Sequence, residues 1–381
     1  MLREHAEAEL SNCLIAHHKI ANVQATVQSL LNMASCQIHS CEGVGVQIRE
    51  KSIVNFTHTT FAANTLSQLF VTENSICTLK ECTIKEGKQV GVFVEKSSNC
   101  TLVTSKIEHN ANTALTVIDA ELTIIQCTIF NNKGNGILGV NDAHVIAELS
   151  NFYDNGMPHI AGKKNTTITI NQCEFVRGKS IYILDDSSLR IYESKILDGE
   201  GVQIEIADRT KALIKQCNIL NGTGNAIKAL RDSTLHVYDS QIAKHRMPQV
   251  VINDSSLIFK NSELLDGERN GFIIENNSEA LIEESFISKH EFPQLWIDKE
   301  STVELKAAQL TEGLESDIYV QNKSSVFAEN CIIRNDKFKF NVQAVNHSKI
   351  DLIQTTVENT FGDKFYSENN SLITHKLDEV N

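Results

Sequence analysis

Glu121–Phe152 reads ELTIIQCTIFNNKGNGILGVNDAHVIAELSNF, and its end repeats its beginning. Cys127-x-Ile129 returns 23 residues later as Ser150-x-Phe152, each preceded by two apolar residues spaced by two. The signature is a small residue followed two positions on by an apolar one. It begins at Cys13, Cys36, Thr59, Cys82, Ser105, Cys127, Ser150, Cys173, Ser194, Cys217, Ser240, Ser262, Ser285, Ala308, Cys331 and Thr355. The gaps are 23 residues with departures to 21, 22 or 24. A fixed period of this length marks a solenoid of stacked coils, each unable to bury its apolar face alone.

Counting from the small residue as origin, the positions five and three before it are apolar, as in Ile168 and Ile170 or Leu257 and Phe259. So are those ten and twelve after it, as in Val92 and Val94 or Leu295 and Ile297. Spacing by two puts both side chains on one face of a strand. The origin and its apolar partner form a third inward pair. Each coil is therefore expected to hold three short strands rich in β-branched residues. Polar corners such as Asp186-Ser187-Ser188 and Asn221-Gly222-Thr223-Gly224 separate them. Pro158, Pro248 and Pro293 each stand eight residues after an origin, ahead of the third strand. The alternation of Cys and Ser origins from Cys82 to Ser240 points to a two-coil unit of about 46 residues.

This turn and strand pattern, with its Cys-x-Ile core, resembles the right-handed parallel β-helix of the pectate-lyase type. The expected fold is all-β: a right-handed parallel β-helix solenoid of about 16 coils of ~23 residues, three short strands per coil. The expected layout is one domain over 1–375 and a tail or linker at 376–381. Leucine-rich repeats are set aside because Leu-x-x-Leu-x-Leu is missing. Ala21–Leu31 reads either as a short helix or as a degenerate coil. The repeat already runs at Ala8 and Leu10 and restarts at Ser371-Leu372-Ile373. The sequence-based expectation is thus a domain of a longer protein, or ends capped by a partner, with end-to-end self-association as one route. The tail Lys376–Asn381 is weakly similar to the segment before the ATPase module of sporulation-type AAA proteins that carry an N-terminal β-helix.

The 381 residues carry a net charge of -13, which argues against nucleic acid and against an anionic membrane surface as partners. Seven of the ten cysteines occupy origins, where Ser, Thr or Ala stands in other coils. They read as reduced core thiols in a cytoplasmic, reducing compartment. No zinc spacing, no Walker motif and no Gly-x-Ser-x-Gly occurs, and no cofactor is expected. Sequons such as Asn165-Thr166-Thr167 and Asn322-Lys323-Ser324 read as turn chemistry.

Polysaccharide lyases and hydrolases of the resembled family need clustered carboxylates on an outer strand ladder. The outward position of the third strand gives one carboxylate, Glu205, from Gln47 to Tyr319. Glu275 and Asp298 occupy adjacent coils one row away and are the weak metal candidates. Asp185-Asp186 is similar to the paired aspartates of polygalacturonases, but the companion motifs are missing and the pair reads as a corner. Val251, Ile273, Trp296 and Tyr319 stand consecutively on that outward row, with Phe70 and Phe93 as a smaller patch. This strip is the expected binding face for a partner protein or fused domain, with sugar stacking as the other occupant. The expected function is a non-catalytic interaction platform. The alternative is a carbohydrate-active β-helix enzyme or a carbohydrate-binding module.

Overall fold

The computed structural model describes residues Met1–Leu377. Residues 378–381, most of the expected tail, lie outside the described residues. The chain divides into two compact units, Met1–Arg190 and Ile191–Asn381. No α-helix occurs among the described residues, and every named strand pairing is parallel.

Both units repeat one coil. In the first, Glu121–Ile125, Thr128–Phe130 and Ile137–Val140 are successive strands of sheets I, II and III. In the second, Thr234–Tyr238, Gln241–Ala243 and Val250–Asn253 play the same parts. Like residues stack in register, Leu79 on Leu102 and then Ile124 in the first unit, Leu235 on Leu257 in the second. These side chains are 0–2% exposed, apart from water as the period-2 pattern requires. Ala21–Leu31 is a coil, not a helix: Ala21–Ala25 and Leu30–Ala34 are strands of sheets III and I.

The corners explain the origin residue. The residue just before each origin is left-handed, as at Glu81 (φ 56), Gln126 (φ 53), Leu149 (φ 50) and Ala307 (φ 48). The bend takes the origin N–H out of the sheet ladder, and the next coil's origin side chain accepts it. Cys82 N–H donates to Ser105 Oγ at 3.0 Å, and Cys127 N–H to Ser150 Oγ at 3.0 Å. Ser150 N–H reaches Cys173 Sγ at 3.5 Å. The position thus takes a small side chain, which in most coils also accepts a hydrogen bond; Ala308 is the exception.

The corner between sheets III and I uses two consecutive left-handed residues, which Asn and Asp tolerate. Asp185 and Asp186 (φ 55 and 57) are one such pair, and Asn276 and Asn277 (φ 59 and 56) another. A buried Ser follows and forms a second column, Ser278 N–H to Ser301 Oγ at 3.1 Å and Ser301 N–H to Ser324 Oγ at 3.2 Å. The hydroxyl of a sequon such as Asn322-Lys323-Ser324 is therefore a structural acceptor.

The corner between sheets II and III encloses buried amides and imidazoles. The first unit stacks Asn110 on Asn132 on Asn155, each Oδ1 accepting the N–H one coil before (3.1 and 3.2 Å). The second unit contains Gln203, His245, Gln249, His290, Gln294, Asp317 and Asn341, all fully buried. His245 lies over Gly222, where a Cβ would stand 2.5 Å from the ring, and His290 over Gly267, at 2.6 Å. The coils of His245 and His290 are separated by one coil with Gly267 in that place, so these two rings stand two coils apart.

Candidate functional site

Sheet III places the expected strip as the sequence laid it out. Val251, Ile273, Trp296 and Tyr319 are in register on adjacent strands and half-buried. The Trp296 and Tyr319 rings lie 4.8 Å apart at 32°, and Phe70 and Phe93 5.4 Å apart at 23°. Rings stacked along the coil axis cover one another's faces and turn their edges outward.

Glu275 and Asp298 are occupied by the protein's own donors. Glu275 accepts from Asn253 Nδ2 at 2.9 Å and from Lys299 Nζ at 3.1 Å. Asp298, 7% exposed, accepts from Asn322 Nδ2 at 2.7 Å, Gln321 Nε2 at 3.0 Å and the Lys299 N–H at 2.7 Å. Among the described residues no group of three or more His, Cys, Asp or Glu is placed to hold a metal.

The outward face of sheet I in the second unit carries a groove of about 580 Å³ that the sequence reading passed over. Its central row runs in register through His236, Ile258, Leu281, Glu304, Phe327 and Asp351. The flanking row adds Ser256, Glu279, Thr302, Ser325 and Lys349. The signal was available: these are the positions four and six before each origin, between the inward residues. The inward half of the alternation on strand I marks the core, and its outer half carries this row.

Two of the groove's carboxylates, Glu304 and Asp351, are ion-paired. Lys306 Nζ is 2.7 Å from Glu304. Asp351 is held by Lys349 and by the Thr374 hydroxyl. Burial pushes the Asp351 carboxyl up, but Lys349 and Thr374 outweigh it and leave the pKa below the usual carboxylate value. Burial pulls His236 down, toward its neutral form. The result is a shallow trough in which an aromatic ring, Phe327, stands between two ion-paired carboxylates.

The description "Right handed beta helix region" fits residues 1–148, 119–250 and 248–379. No curated protein matches the chain in sequence. Among solved structures, the periplasmic alginate epimerase AlgG is 9% identical with a TM-score of 0.47, covering 80% of this chain and 78% of its own. The Azotobacter vinelandii mannuronan C-5 epimerase AlgE6 A-module is 8% identical with a TM-score of 0.42, covering 78% and 90%. The tailspike of E. coli bacteriophage HK620 in complex with pentasaccharide is 8% identical with a TM-score of 0.33, covering 96% and 74%. The expected non-catalytic interaction platform is corrected at this point. The three solved structures are two epimerases and a tailspike in complex with a pentasaccharide, and at 8–9% identity what they share with this chain is the fold.

Proposed function

The chain belongs to the right-handed β-helix family, and on that premise we propose that it is carbohydrate-active, with a glycan lying along sheet I of its second unit. The observation that carries this reading is the groove in which Phe327 lies between Glu304 and Asp351. A sugar presents apolar C–H faces alternating with hydroxyls. Two rows repeating every ~4.8 Å offer it a ring and two carboxylates in the central row and the hydroxyls of Ser256, Thr302 and Ser325 in the flanking one. Ionised carboxylates accept hydroxyl protons strongly.

Three carboxylates line the trough against two lysines, Lys349 in its lining and Lys306 paired with Glu304, an excess of one negative charge. That balance favours a neutral or amino-bearing glycan over a polyuronate. Glu304 and Asp351 lie two coils apart, roughly 9–10 Å between backbones. Each faces a lysine ammonium, which suits gripping hydroxyls better than donating a proton. Glycan binding is accordingly the core of the proposal, and bond cleavage an added outcome of its test.

The test is calorimetric titration of neutral, amino-bearing and uronic oligosaccharides, with reducing-end release measured in parallel. Binding that falls at least tenfold in Phe327→Ala supports the reading. Absence of binding at millimolar concentrations of every class refutes it. A cytoplasmic location is proposed from the buried thiols Cys36, Cys77, Cys82, Cys127 and Cys217, and fractionation of the source cells tests it. A fused ATPase rests on Lys376–Asn381 alone. A longer reading frame carrying a Walker motif tests that.

A further inference from the structure

Three histidines are sealed inside the chain at 0% exposure, His159, His245 and His290. Their partners are amides whose orientation is fixed by backbone carbonyls. A carbonyl only accepts, so the amide atom facing it must be nitrogen, and the oxygen then lies on the other side.

For His159, Asn155 Nδ2 donates to the Ile129 carbonyl at 3.1 Å and also faces ring Nδ1 at 3.0 Å. That nitrogen must accept, while Nε2 donates to the Arg177 carbonyl at 2.6 Å. His159 is neutral. For His245, Gln203 Nε2 is held by the Leu220 carbonyl at 3.1 Å, so Gln203 Oε1 takes the Nε2 proton at 2.8 Å. Nδ1 has no partner, and this ring too is neutral.

His290 differs. Gln249 Nε2 donates to the Leu265 carbonyl at 2.7 Å, and Gln294 Nε2 to the Thr311 carbonyl at 3.2 Å. Both amide oxygens therefore face the ring, Gln249 Oε1 at 3.2 Å from Nε2 and Gln294 Oε1 at 3.3 Å from Nδ1. Two acceptors need two ring protons. The matching negative charge lies one amide further on. Gln294 Nε2 donates to Asp317 Oδ1 at 2.7 Å, and Asn341 Nδ2 to Oδ2 at 3.2 Å. The Glu358 carbonyl, 2.9 Å from Asn341 Nδ2, fixes that amide as well. Asn335 adds a further side-chain hydrogen bond that favours the ionised carboxyl. Each of these side-chain hydrogen bonds to the Asp317 carboxyl comes from an amide donor, as an ionised carboxyl requires.

We infer that His290 is an imidazolium and Asp317 a carboxylate, an ion pair in the core of the second unit relayed through the amide of Gln294. Burial pulls His290 down to about 4 even against the Gln294 hydrogen bond and the Asp266 charge, and it lifts Asp317 well above the usual carboxylate range against three amide hydrogen bonds, so the two charges must form together. Neither charge holds without the other. Asp266, on the preceding coil, is the other charged group facing His290, and its field favours the protonated ring. Glu315, close to Asp317 in the chain, is itself raised by burial.

The pair has its own pH signature. Between the ordinary Asp and His pKa values the unfolded chain also carries one proton on these two groups, so folding exchanges none. Above the His value folding takes up a proton, and stability falls as pH rises. The experiment is nitrogen NMR of the full chain with labelled histidine at pH 8, where exposed histidines are neutral. One imidazolium with both ring nitrogens protonated is expected, lost in His290→Gln. A spectrum with none overturns the inference. Should His290→Gln fail to fold, the neutral double variant His290→Gln/Asp317→Asn serves. It should abolish an uptake of about one proton on folding at pH 8, and unchanged uptake would equally overturn the pair.

Discussion

His159 makes the first unit sensitive to acid, and the size of the effect can be worked out. The ring is sealed, Nε2 bonded to the Arg177 carbonyl and Nδ1 to Asn155. Burial depresses its pKa from 6.5 to about 4. A depressed histidine contributes stability that is complete above the unfolded value and is lost as pH falls toward the folded one. Each pKa unit is worth about 1.4 kcal/mol, so the full loss is roughly 3 kcal/mol, of which about 2 kcal/mol is gone by pH 5. His159→Gln removes this term. Urea midpoints for wild type and variant at pH 7, 6 and 5 should therefore converge as acid is added, at unchanged m-value. A stability gap that stays constant across this range would refute the assignment of a sealed, neutral ring.

Gly222→Ala places a Cβ 2.5 Å from His245 and should cost about 1–3 kcal/mol by overpacking; adding His245→Ala should relieve part of the loss, and strict additivity in urea titrations would count against the interleaved column. Cys82, Cys127 and Cys217 are raised to about 11 by burial; a thiol reagent at pH 8 should label the half-exposed Cys13 and leave these three unmodified until the chain unfolds. Glycan binding on sheet I should leave the fluorescence of Trp296, the single tryptophan, unchanged, and Trp296→Ala should not weaken it; quenching on titration would move the site to sheet III.

The fold was legible because its signal is repeated in every coil. The aliphatic pairs recur at fixed offsets from each origin, and spacing by two leaves one choice of inward face. The buried amide column was not, because its residue types change from coil to coil and its offset drifts: Asn132 stands five residues after its origin, His159 nine and Asn341 ten. Within each unit what unites them is the volume behind the corner between sheets II and III, visible only when coils are stacked. The left-handed residue before each origin was hidden for another reason. Leu149 and Ala307 are not turn formers, and tertiary stacking overrides their local preference. The sheet III row could be enumerated, but ring orientation could not. Trp296 and Tyr319 leave each other's faces covered.

The interleaving of rings and glycines has a bearing on how such a chain can grow or shrink. Excising the 23 residues from Ser262 to Glu284 would bring the coil of His290 directly onto that of His245 and set two imidazoles in the space left for one. Removing two successive coils preserves the alternation. Lengthening of this segment by gene duplication is therefore expected to proceed in steps of about 46 residues, and viable natural length variants of it should differ by even numbers of turns.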